Sequence, residues 1–576
     1  MRKPHHTLLF LLAVGLGSFL LAAVFPSEGI TITEDFKLQF VTLSELMEED
    51  KDSLPVVDVA ELLESYEKME MIDSTAIKDS IRSAEMARRK AMLRIQYGDS
   101  AAVHLPRFFA GLDRMQSKAQ RKVRIIHYGD SQIEGDRISS LIRDRLQKEF
   151  GGNGPGYIPV KNVVATSAIS MEISGNWLRY PVFGKADSTL NHNHFGIYGA
   201  FCRFTPIIIP PGPDSTAQVA GEPASEASSE LPEDNLPIAI GSAKADSTQP
   251  PASGASDSLL AKQETSSGQE DDFIPADTSK GESHQIIHEQ PTDTTRAWVK
   301  ISPSSYSYLT ARQYDLLEML YRNPDAPFVL KVYLNDSLIR TERFEKHARA
   351  QYFSHRFERT PKKLRLEFEA ITSPDIYGLR LESSQGLILD NVGLRGSSGT
   401  FFGKINSAEM ATQFGRQPVR LIVMQFGGNS VPYIADKKRA ARYGRWFKAQ
   451  IEKLQALNPG ADIVVIGPSD MSVKEKTDYV TYKQLPWVRD ALKQAAFDAG
   501  AGFWDIYEVM GGRNSMPQWV EAEPALAASD YTHFTRKGAN KIAGLFVDAL
   551  LKDYAVYKNG GKEPEEEKKD ALLTEN

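Results

Sequence analysis

Two short motifs hold the residue types needed for acyl transfer through serine. Ser131 lies in HYGDSQ, directly after an apolar β-branched run, and Asp530 and His533 lie in DYTH, just before an amphipathic helix. This chemistry requires an exposed hydroxyl, a base beside it and a carboxylate that orients the base. We therefore predict Ser131 as the nucleophile, His533 as the base and Asp530 as its partner. Each motif also has a structural interpretation, because a GDS serine can cap a helix and D-x-x-H can be a capping or metal-ligand pair.

Donors for a developing oxyanion are predicted at three positions. Asn429 ends the GGN that follows VMQF, so its amide is expected at the carboxyl edge of a strand, although such a turn also occurs as an ordinary cap. Gly396, in NVGLRGSSG, allows a backbone N–H to approach a substrate closely, and Gly393 and Gly399 are nearby alternatives. The backbone N–H of Ser131, near a helix start, is the third expected donor.

Apolar strand-like runs alternate with amphipathic helical segments on either side of a long middle region. The strand-like runs are 122–129, 419–426, 461–468 and 501–510, and the helical segments are 136–150, 441–457, 485–500 and the segment after Thr535. This alternation is typical of a mostly parallel sheet covered by helices on both faces. We therefore predict an α/β fold with three layers, α/β/α. Ser131 and Asn429 would then lie at the carboxyl edge, where open α/β folds bind ligands.

The middle region and the N-terminal part of the chain depart from this pattern. Residues 166–394 contain short alternating strands separated by turn residues, which predicts an inserted β-sandwich. Within it, 212–294 has few large apolar residues and is predicted to be disordered. Residues 31–120 show helical periodicity and are predicted to form an N-terminal helical region. The α/β domain is therefore expected to be discontinuous, over 121–165 and 395–552.

The tetrapeptide YGDS occurs twice, at 97–100 and at 128–131. Only the second copy follows an apolar strand-like run, so the first copy is predicted to be a turn and not a site. Arg137, Arg143 and Arg145, on the helix after the second copy, are predicted to lie on its solvated face.

Composition excludes several classes of function. The net charge of −7 argues against nucleic acid as a partner, because phosphate binding needs a basic face. The one cysteine, Cys202, excludes an internal disulfide and argues against a cysteine-based zinc site. His192 and His194 have no carboxylate or cysteine partner fixed by spacing, so we predict no metal site and no cofactor.

The two ends of the chain are predicted to lie outside the folded body. Arg2 and Lys3 precede an apolar run that ends at Phe25, close to the ~20 residues that span a bilayer. Residues 1–30 are therefore predicted to be a signal peptide or a membrane anchor, and the lack of a clear cleavage site favours the anchor. The basic flank would leave the rest of the chain in the periplasm or cell envelope, tethered to the inner membrane. The charged tail, 553–576, is predicted to be disordered.

Taken in order, these motifs resemble the four sequence blocks of the SGNH (GDSL-type) hydrolase family: GDS, a glycine, G-x-N and D-x-x-H. The resemblance covers 121–165 and 395–552. It implies the same triad, with Gly396, Asn429 and the Ser131 N–H as oxyanion donors, and hydrolysis of an ester bond. The motif GDSQ departs from GDSL at its fourth residue, a position that varies in the wider family.

The stretch 127–163 is similar to peptidoglycan O-acetylesterases in its GDS-x-x-x-G-D start and its G-x-G-x-G-Y loop. In those enzymes a β insertion similar to a carbohydrate-binding β-sandwich also precedes the glycine block. This resemblance implies an O-acetylated cell-wall or exported glycan as the substrate. Two alternatives remain open: an O-acetyltransferase that uses the same triad, and a glycan-binding protein with an inactive α/β body.

Overall fold

The computed structural model describes residues 30–33, 36–38, 93–98, 104–184, 190, 192–206 and 294–563. The predicted membrane anchor, nearly all of the predicted disordered segment and the end of the C-terminal tail lie outside these residues. The prediction of a disordered tail from residue 553 is wrong for 553–558, which continue the last helix and bury Asp553 against the body. The chain divides into two compact units, residues 1–85 and 86–576. In the described part of the chain, no helix has both the length and the apolar character needed to cross a membrane.

In the first unit the described residues form two antiparallel strands, β1 Ile30–Thr33 and β2 Phe36–Leu38. The sequence predicts helix from residue 31, and this prediction is wrong for these strands. The run ITIT consists of β-branched residues, whose restricted side-chain rotation favours extended backbone over helix. Most of the remaining predicted helical region lies outside the described residues.

The second unit contains the other described helices and strands. The helices are α1 Pro106–Gln116, α2 Ser139–Phe150, α3 Ser407–Gly415, α4 Lys437–Leu457, α5 Leu485–Asp498, α6 Ile506–Met510, α7 Ser515–Glu521 and α8 Arg536–Lys558. The strands are β3 Lys122–Gly129, β4 Gly156–Ile158, β5 Ile169–Ile173, β6 Trp177–Pro181, β7 Ala200–Phe204, β8 Thr295–Pro303, β9 Leu316–Asn323, β10 Phe328–Leu334, β11 Ser337–Phe344, β12 His347–Arg356, β13 Leu364–Ala370, β14 Asp375–Glu382, β15 Gly386–Gly393, β16 Val419–Gln425, β17 Asp462–Ile466, β18 Ser472–Glu475, β19 Asp478–Thr481 and β20 Gly502–Trp504.

A parallel sheet with the strand order β15-β3-β16-β17-β20 forms the centre of this unit. Strand β3 is buried from Val123 to Gly129, because it lies between two neighbouring strands and beneath helices on both faces. One hydrophobic core contains side chains of α1, α2 and α8, and a second core contains side chains of α4 and α5. The structure therefore has the three-layer α/β/α architecture predicted from the sequence.

Two strand assignments differ from the sequence prediction. The sequence assigns 377–394 to the insertion, but the second half of this run forms β15 and pairs in parallel with β3. An apolar run has the same pattern in either kind of sheet, so the sequence does not reveal its partner. The run 501–510 is predicted to be one strand, but β20 ends at Trp504 because the Asp505 side chain caps α6.

The chain from β4 to β14 forms two antiparallel sheets within the described residues. One sheet has the strand order β11-β10-β13-β8-β5, and the other has the order β12-β9-β14-β7-β6, with β4 also paired to β14. Burial alternates along strands such as β13, so that one face of each strand points inward. Side chains from both sheets meet in one hydrophobic core, which includes Trp177, Phe204, Phe328 and Phe368.

Buried ion pairs join these antiparallel sheets to the parallel sheet. Arg124 on β3 donates to Glu382 at the end of β14 (2.6 Å) and to Asp390 on β15 (2.7 Å), and all three side chains are almost inaccessible to solvent. Lys122 also pairs with Glu382 (2.7 Å). Because an unpaired buried charge is costly, these contacts fix the antiparallel sheets relative to the strand that leads to Ser131.

The arginines of α2 are less solvated than predicted. Arg143 is buried, and its guanidinium donates to both carboxylate oxygens of Asp136 (2.6 and 2.8 Å) and to the Leu389 carbonyl (2.9 Å). Arg145 is partly exposed and pairs with Asp548 on α8 (2.8 Å). The prediction of a solvated face is therefore wrong for Arg143, because its partners come from a turn and a strand that helical spacing does not reveal.

Candidate active site

The turn after β3 presents Ser131 at the carboxyl edge of the parallel sheet. At Gly129 a Cβ atom would lie 2.9 Å from the Ile133 side chain, so the close approach of the turn to the strand requires glycine. Asp130 then accepts the Gln132 N–H through Oδ1 (3.0 Å), which closes the turn. The Ser131 side chain remains partly exposed.

Ser131, His533 and Asp530 form one chain of hydrogen bonds, although 402 positions separate the serine from the histidine. Ser131 Oγ lies 2.8 Å from His533 Nε2, and His533 Nδ1 lies 2.7 Å from Asp530 Oδ2. Asp530 Oδ1 also accepts the His533 backbone N–H (2.9 Å). Burial by itself would raise the pKa of Asp530, but the hydrogen bonds from His533 outweigh burial and lower the pKa to about 2. The carboxylate is therefore ionised and holds the imidazole in one orientation.

Gln132 connects the turn that carries Ser131 to the loop that carries His533. Its Nε2 donates to the Thr532 carbonyl (2.7 Å) and to the Ser469 hydroxyl (3.3 Å). Gln132 is the fourth residue of GDSQ, so the position that departs from GDSL makes a contact within the site. The sequence gives no signal for this role, because no spacing rule pairs Gln132 with Thr532.

Asn429 and Gly396 lie close to each other beside the turn that carries Ser131. Asn429 Nδ2 donates to the carbonyl of Ser397, the residue after Gly396 (3.2 Å). On the other side, a Cβ atom at Gly428 would lie 3.7 Å from Asp130 Oδ2. The structure thus brings both predicted donors, the Asn429 side-chain amide and the Gly396 backbone N–H, to the edge of the sheet where Ser131 lies.

Of the three glycines considered for the oxyanion hole, Gly396 is the one that borders open space. A Cβ atom at Gly396 would have no other atom within 4 Å, and its φ of 81° is left-handed. A Cβ atom would lie 2.7 Å from Phe426 at Gly399 and 3.2 Å from the Glu134 backbone at Gly393. The two alternatives are therefore required for close packing, whereas the backbone at Gly396 is accessible to a ligand.

Residues 370–541 match the model of the GDSL-like Lipase/Acylhydrolase family. This chain carries a GDSL-like lipase/acylhydrolase domain. The matched range contains Gly396, Asn429, Asp530 and His533, and the hydrogen bond to His533 brings Ser131, which precedes that range, into the same site. The match confirms the prediction of an ester-bond hydrolase.

Two solved structures illustrate what this chain is similar to in fold. A peptidoglycan O-acetylesterase matches over 80% of this chain and 99% of its own, with 16% identity and a TM-score of 0.52. A family two carbohydrate esterase from Clostridium thermocellum, in complex with cellohexaose, matches over 46% of this chain and 93% of its own, with 9% identity and a TM-score of 0.21. The first similarity shows a shared fold, and the second is too distant to carry an argument. A comparison with curated proteins found no match.

Asp130 is a second carboxylate beside the triad of the GDSL-like domain, and the sequence does not indicate a role for it. Its side chain is buried, and burial raises its pKa from 3.8 to about 6, against the Gln132 N–H and the nearby His533, which act to lower it. Asp130 therefore titrates much closer to neutral pH than an exposed aspartate does.

The two histidines considered as metal ligands each lie near one carboxylate. His192 Nε2 lies 3.6 Å from Asp375, and His194 Nδ1 lies 3.6 Å from Glu409. Among the residues that the structure describes, no group of three or more histidine, cysteine, aspartate or glutamate side chains is arranged to hold a metal ion.

Proposed function

We propose that this chain is a serine esterase that removes O-acetyl groups from a cell-wall or exported polysaccharide. The observation that carries the proposal is the hydrogen-bonded chain from Ser131 through His533 to Asp530, with Asn429 and Gly396 beside it. A binding protein has no need of a serine that contacts a base oriented by an ionised carboxylate. The substrate class is supported by the similarity in fold to a peptidoglycan O-acetylesterase.

In the first half of the reaction, Ser131 Oγ attacks the acetyl carbonyl carbon while His533 Nε2 takes its proton. The carbonyl oxygen becomes an oxyanion, which accepts hydrogen bonds from the N–H groups of Ser131 and Gly396 and from the Asn429 amide. The bond to the sugar oxygen then breaks, and His533 gives its proton to that oxygen. Asp530 stays ionised and stabilises the imidazolium throughout.

In the second half, water enters where the sugar hydroxyl has left. His533 takes a proton from the water while the water oxygen attacks the acetyl carbon of the acyl-enzyme. The bond to Ser131 Oγ breaks, His533 returns the proton to the serine, and the product leaves as acetic acid, which ionises to acetate in water. A sugar hydroxyl in place of water would complete an acetyl transfer by the same steps.

The proposal is tested with the full chain in detergent. We expect a fluorophosphonate probe to label Ser131, and we expect acetate release from O-acetylated peptidoglycan to fall by about 10³-fold in Ser131→Ala. If the probe labels Ser131 and the protein transfers acetyl groups to an added sugar but releases no acetate, the protein is a transferase. If Ser131 is not labelled and wild type and variant release acetate equally, the serine mechanism is wrong.

We also propose that the chain is exported and is held at the inner membrane by residues 1–30. The proposal is supported by Arg2 and Lys3 before the apolar run. In fractionated cells, we expect the full chain in the membrane fraction with its body accessible to external protease. A variant without residues 1–30 should remain in the cytoplasm, and equal distribution of the two proteins would contradict the proposal.

A further inference from the structure

A small pocket of about 50 Å³ opens beside the turn that carries Ser131. Its walls come from the turn itself, the loop 155–168, strand β6 and the end of β15. The pocket adjoins Ser131, because the Glu134 N–H donates to the Ser131 carbonyl (3.4 Å). The loop also contacts the turn, since the Ser167 N–H donates to the Gly135 carbonyl (3.1 Å). The lining of the pocket begins at Glu134, three residues after Ser131, so the pocket is next to an ester held at that serine.

Cationic side chains outnumber the carboxylates around this pocket. Lys161, Arg179 and Glu134 line it, and Arg395 Nη1 lies 3.6 Å from Glu134 Oε2. Burial raises the pKa of the Glu134 carboxyl, while Arg395, Arg137 and Arg179 each act to lower it. Arg137 also interacts with the carboxylates of Asp530 and Asp130, so the excess positive charge at the pocket comes from Lys161 and Arg179.

The described residues provide Lys161 and Arg179 with no carboxylate partner. Arg179 forms no ion pair with any residue that the structure describes, and Lys161 Nζ donates to a backbone carbonyl (2.7 Å). The other acid in the lining, Asp136, already accepts two hydrogen bonds from Arg143. Because Lys161 and Arg179 line the pocket without a carboxylate partner, the arrangement favours an external anion.

We propose that this pocket binds a carboxylate that the glycan carries close to its O-acetyl group. The inference rests on the proposed function and adds that the enzyme selects an acidic sugar unit. A guanidinium such as that of Arg179 suits a carboxylate, which accepts two parallel N–H groups at once. The acetyl ester is neutral, so its hydrolysis does not require this positive charge.

The rim of the pocket is apolar. Val163 and Val164, on the loop that lines it, are 60% and 38% exposed. Exposed neighbouring valines next to a charged pocket provide contact area for the less polar face of a sugar ring. The pocket therefore combines a charge-recognition element with a surface for the ring that carries the charge.

The test compares substrates that differ by one charge: an O-acetylated uronic acid glycoside and its uncharged uronamide, with acetate release as the readout. For the wild-type full chain, we expect kcat/KM for the acid to exceed that for the amide by about tenfold, and this ratio should shrink at high salt. Arg179→Gln should bring the ratio close to one. Arg343→Gln, at an exposed arginine on β11 in the other antiparallel sheet, should leave the ratio as in the wild type.

A second variant and a third substrate complete the test. Arg395→Gln, at a side chain that is 53% exposed, should lower the ratio without loss of folding. An acetylated amino sugar with its carboxylate on an ether side chain distinguishes this source of charge from a carboxylate on the ring. Equal turnover of acid and amide by the wild type, or an unchanged ratio in both variants, overturns the inference and leaves the esterase proposal standing. If no substrate releases acetate through Ser131, the proposed function itself fails.

Discussion

The two copies of YGDS share four residues but lie in different surroundings. In the second copy, Tyr128 and Gly129 end β3, an interior strand of the parallel sheet, and Ser131 follows at its carboxyl edge within 2.8 Å of a base. Directly before the first copy, Gln96 forms an isolated antiparallel bridge with Phe503 on the edge strand β20.

The side chains of the first copy make a different kind of contact. Tyr97 stacks on His104, with 3.8 Å between ring centroids, and donates to Asp553 on α8 (2.7 Å). Asp99 and Ser100 lie outside the described residues. The motif therefore acquires its chemistry from the strand before it and from the loop that carries the base, since the four residues are the same in both places.

The largest expected difference between the copies is at their serines. Ser131→Ala should lower kcat/KM for ester hydrolysis by about 10³-fold, because it removes the nucleophile. Ser100→Ala is the matched control and should change kcat/KM less than twofold, since no strand end or base is predicted beside it. Both variants should keep the wild-type thermal transition. A comparable loss of activity in Ser100→Ala would show that the first copy also takes part in catalysis.

The same contrast explains how much of the site the sequence predicts. Ser131, Asp530 and His533 can be predicted because each follows a strand or precedes a helix whose periodicity is visible. The contact between Gln132 and Thr532 cannot, because it depends on how two distant turns approach each other.

Prediction of the fold from the sequence is limited in the same way. The alternation of apolar runs predicts the parallel sheet, but it does not show that β15 belongs to it, because an apolar strand has no mark of its partner. Arg143 likewise has the spacing of a solvated residue, and only the approach of Asp136 and β15 buries it. Local pattern therefore predicts which segments form strands and helices, but not which strands and turns become neighbours.

The next largest difference is expected at the aspartates. Burial raises the pKa of Asp130 to about 6, so the folded state binds its proton more tightly than the unfolded state does. This contribution to stability is complete below about pH 4 and is lost as pH rises through 6. The shift corresponds to about 3 kcal/mol. Urea unfolding of the wild type between pH 4 and 7 should show this decline.

Asp130→Asn should flatten that decline, because the amide keeps an oxygen for the Gln132 N–H and has no charge to bury. Asp99→Asn, at the corresponding residue of the first copy, should retain the wild-type dependence on pH. A decline that persists unchanged in Asp130→Asn would show that another group causes it.

A smaller effect is expected at the residue after each tetrapeptide. Gln132→Leu restores the GDSL form but removes the donor to the Thr532 carbonyl, so we expect a loss of about 1–2 kcal/mol in the free energy of unfolding. We also expect kcat to fall about tenfold, because the loop that carries His533 is less well held. In the first copy this position is Ala101, which has no such donor to lose.

Gln147→Leu is the matched control for this prediction. Gln147 is also buried, and its Nε2 also donates to two oxygens, the carbonyls of Gly154 and Leu387 (3.1 and 3.2 Å). It should therefore cost similar stability and leave kcat unchanged. If both variants lower kcat equally, the effect of Gln132→Leu reflects general loosening and not the link to the histidine loop.

The smallest difference is expected at the tyrosines, because both hydroxyls donate a hydrogen bond to a residue outside the triad. Tyr97 donates to the Asp553 carboxylate (2.7 Å), and Tyr128 donates to the Ile197 carbonyl (2.7 Å). Tyr97→Phe should lower the free energy of unfolding by about 2 kcal/mol, because its partner is a carboxylate, and Tyr128→Phe by about 1 kcal/mol. Neither variant should change kcat/KM for a small acetyl ester by more than about twofold, since neither hydroxyl contacts the triad.

A tenfold loss of kcat/KM in folded Tyr97→Phe would mean that the first copy contributes to the active site after all. If instead both tyrosines affect stability only, the two copies share a structural residue, and what separates them is the base that lies 2.8 Å from the serine of the second copy.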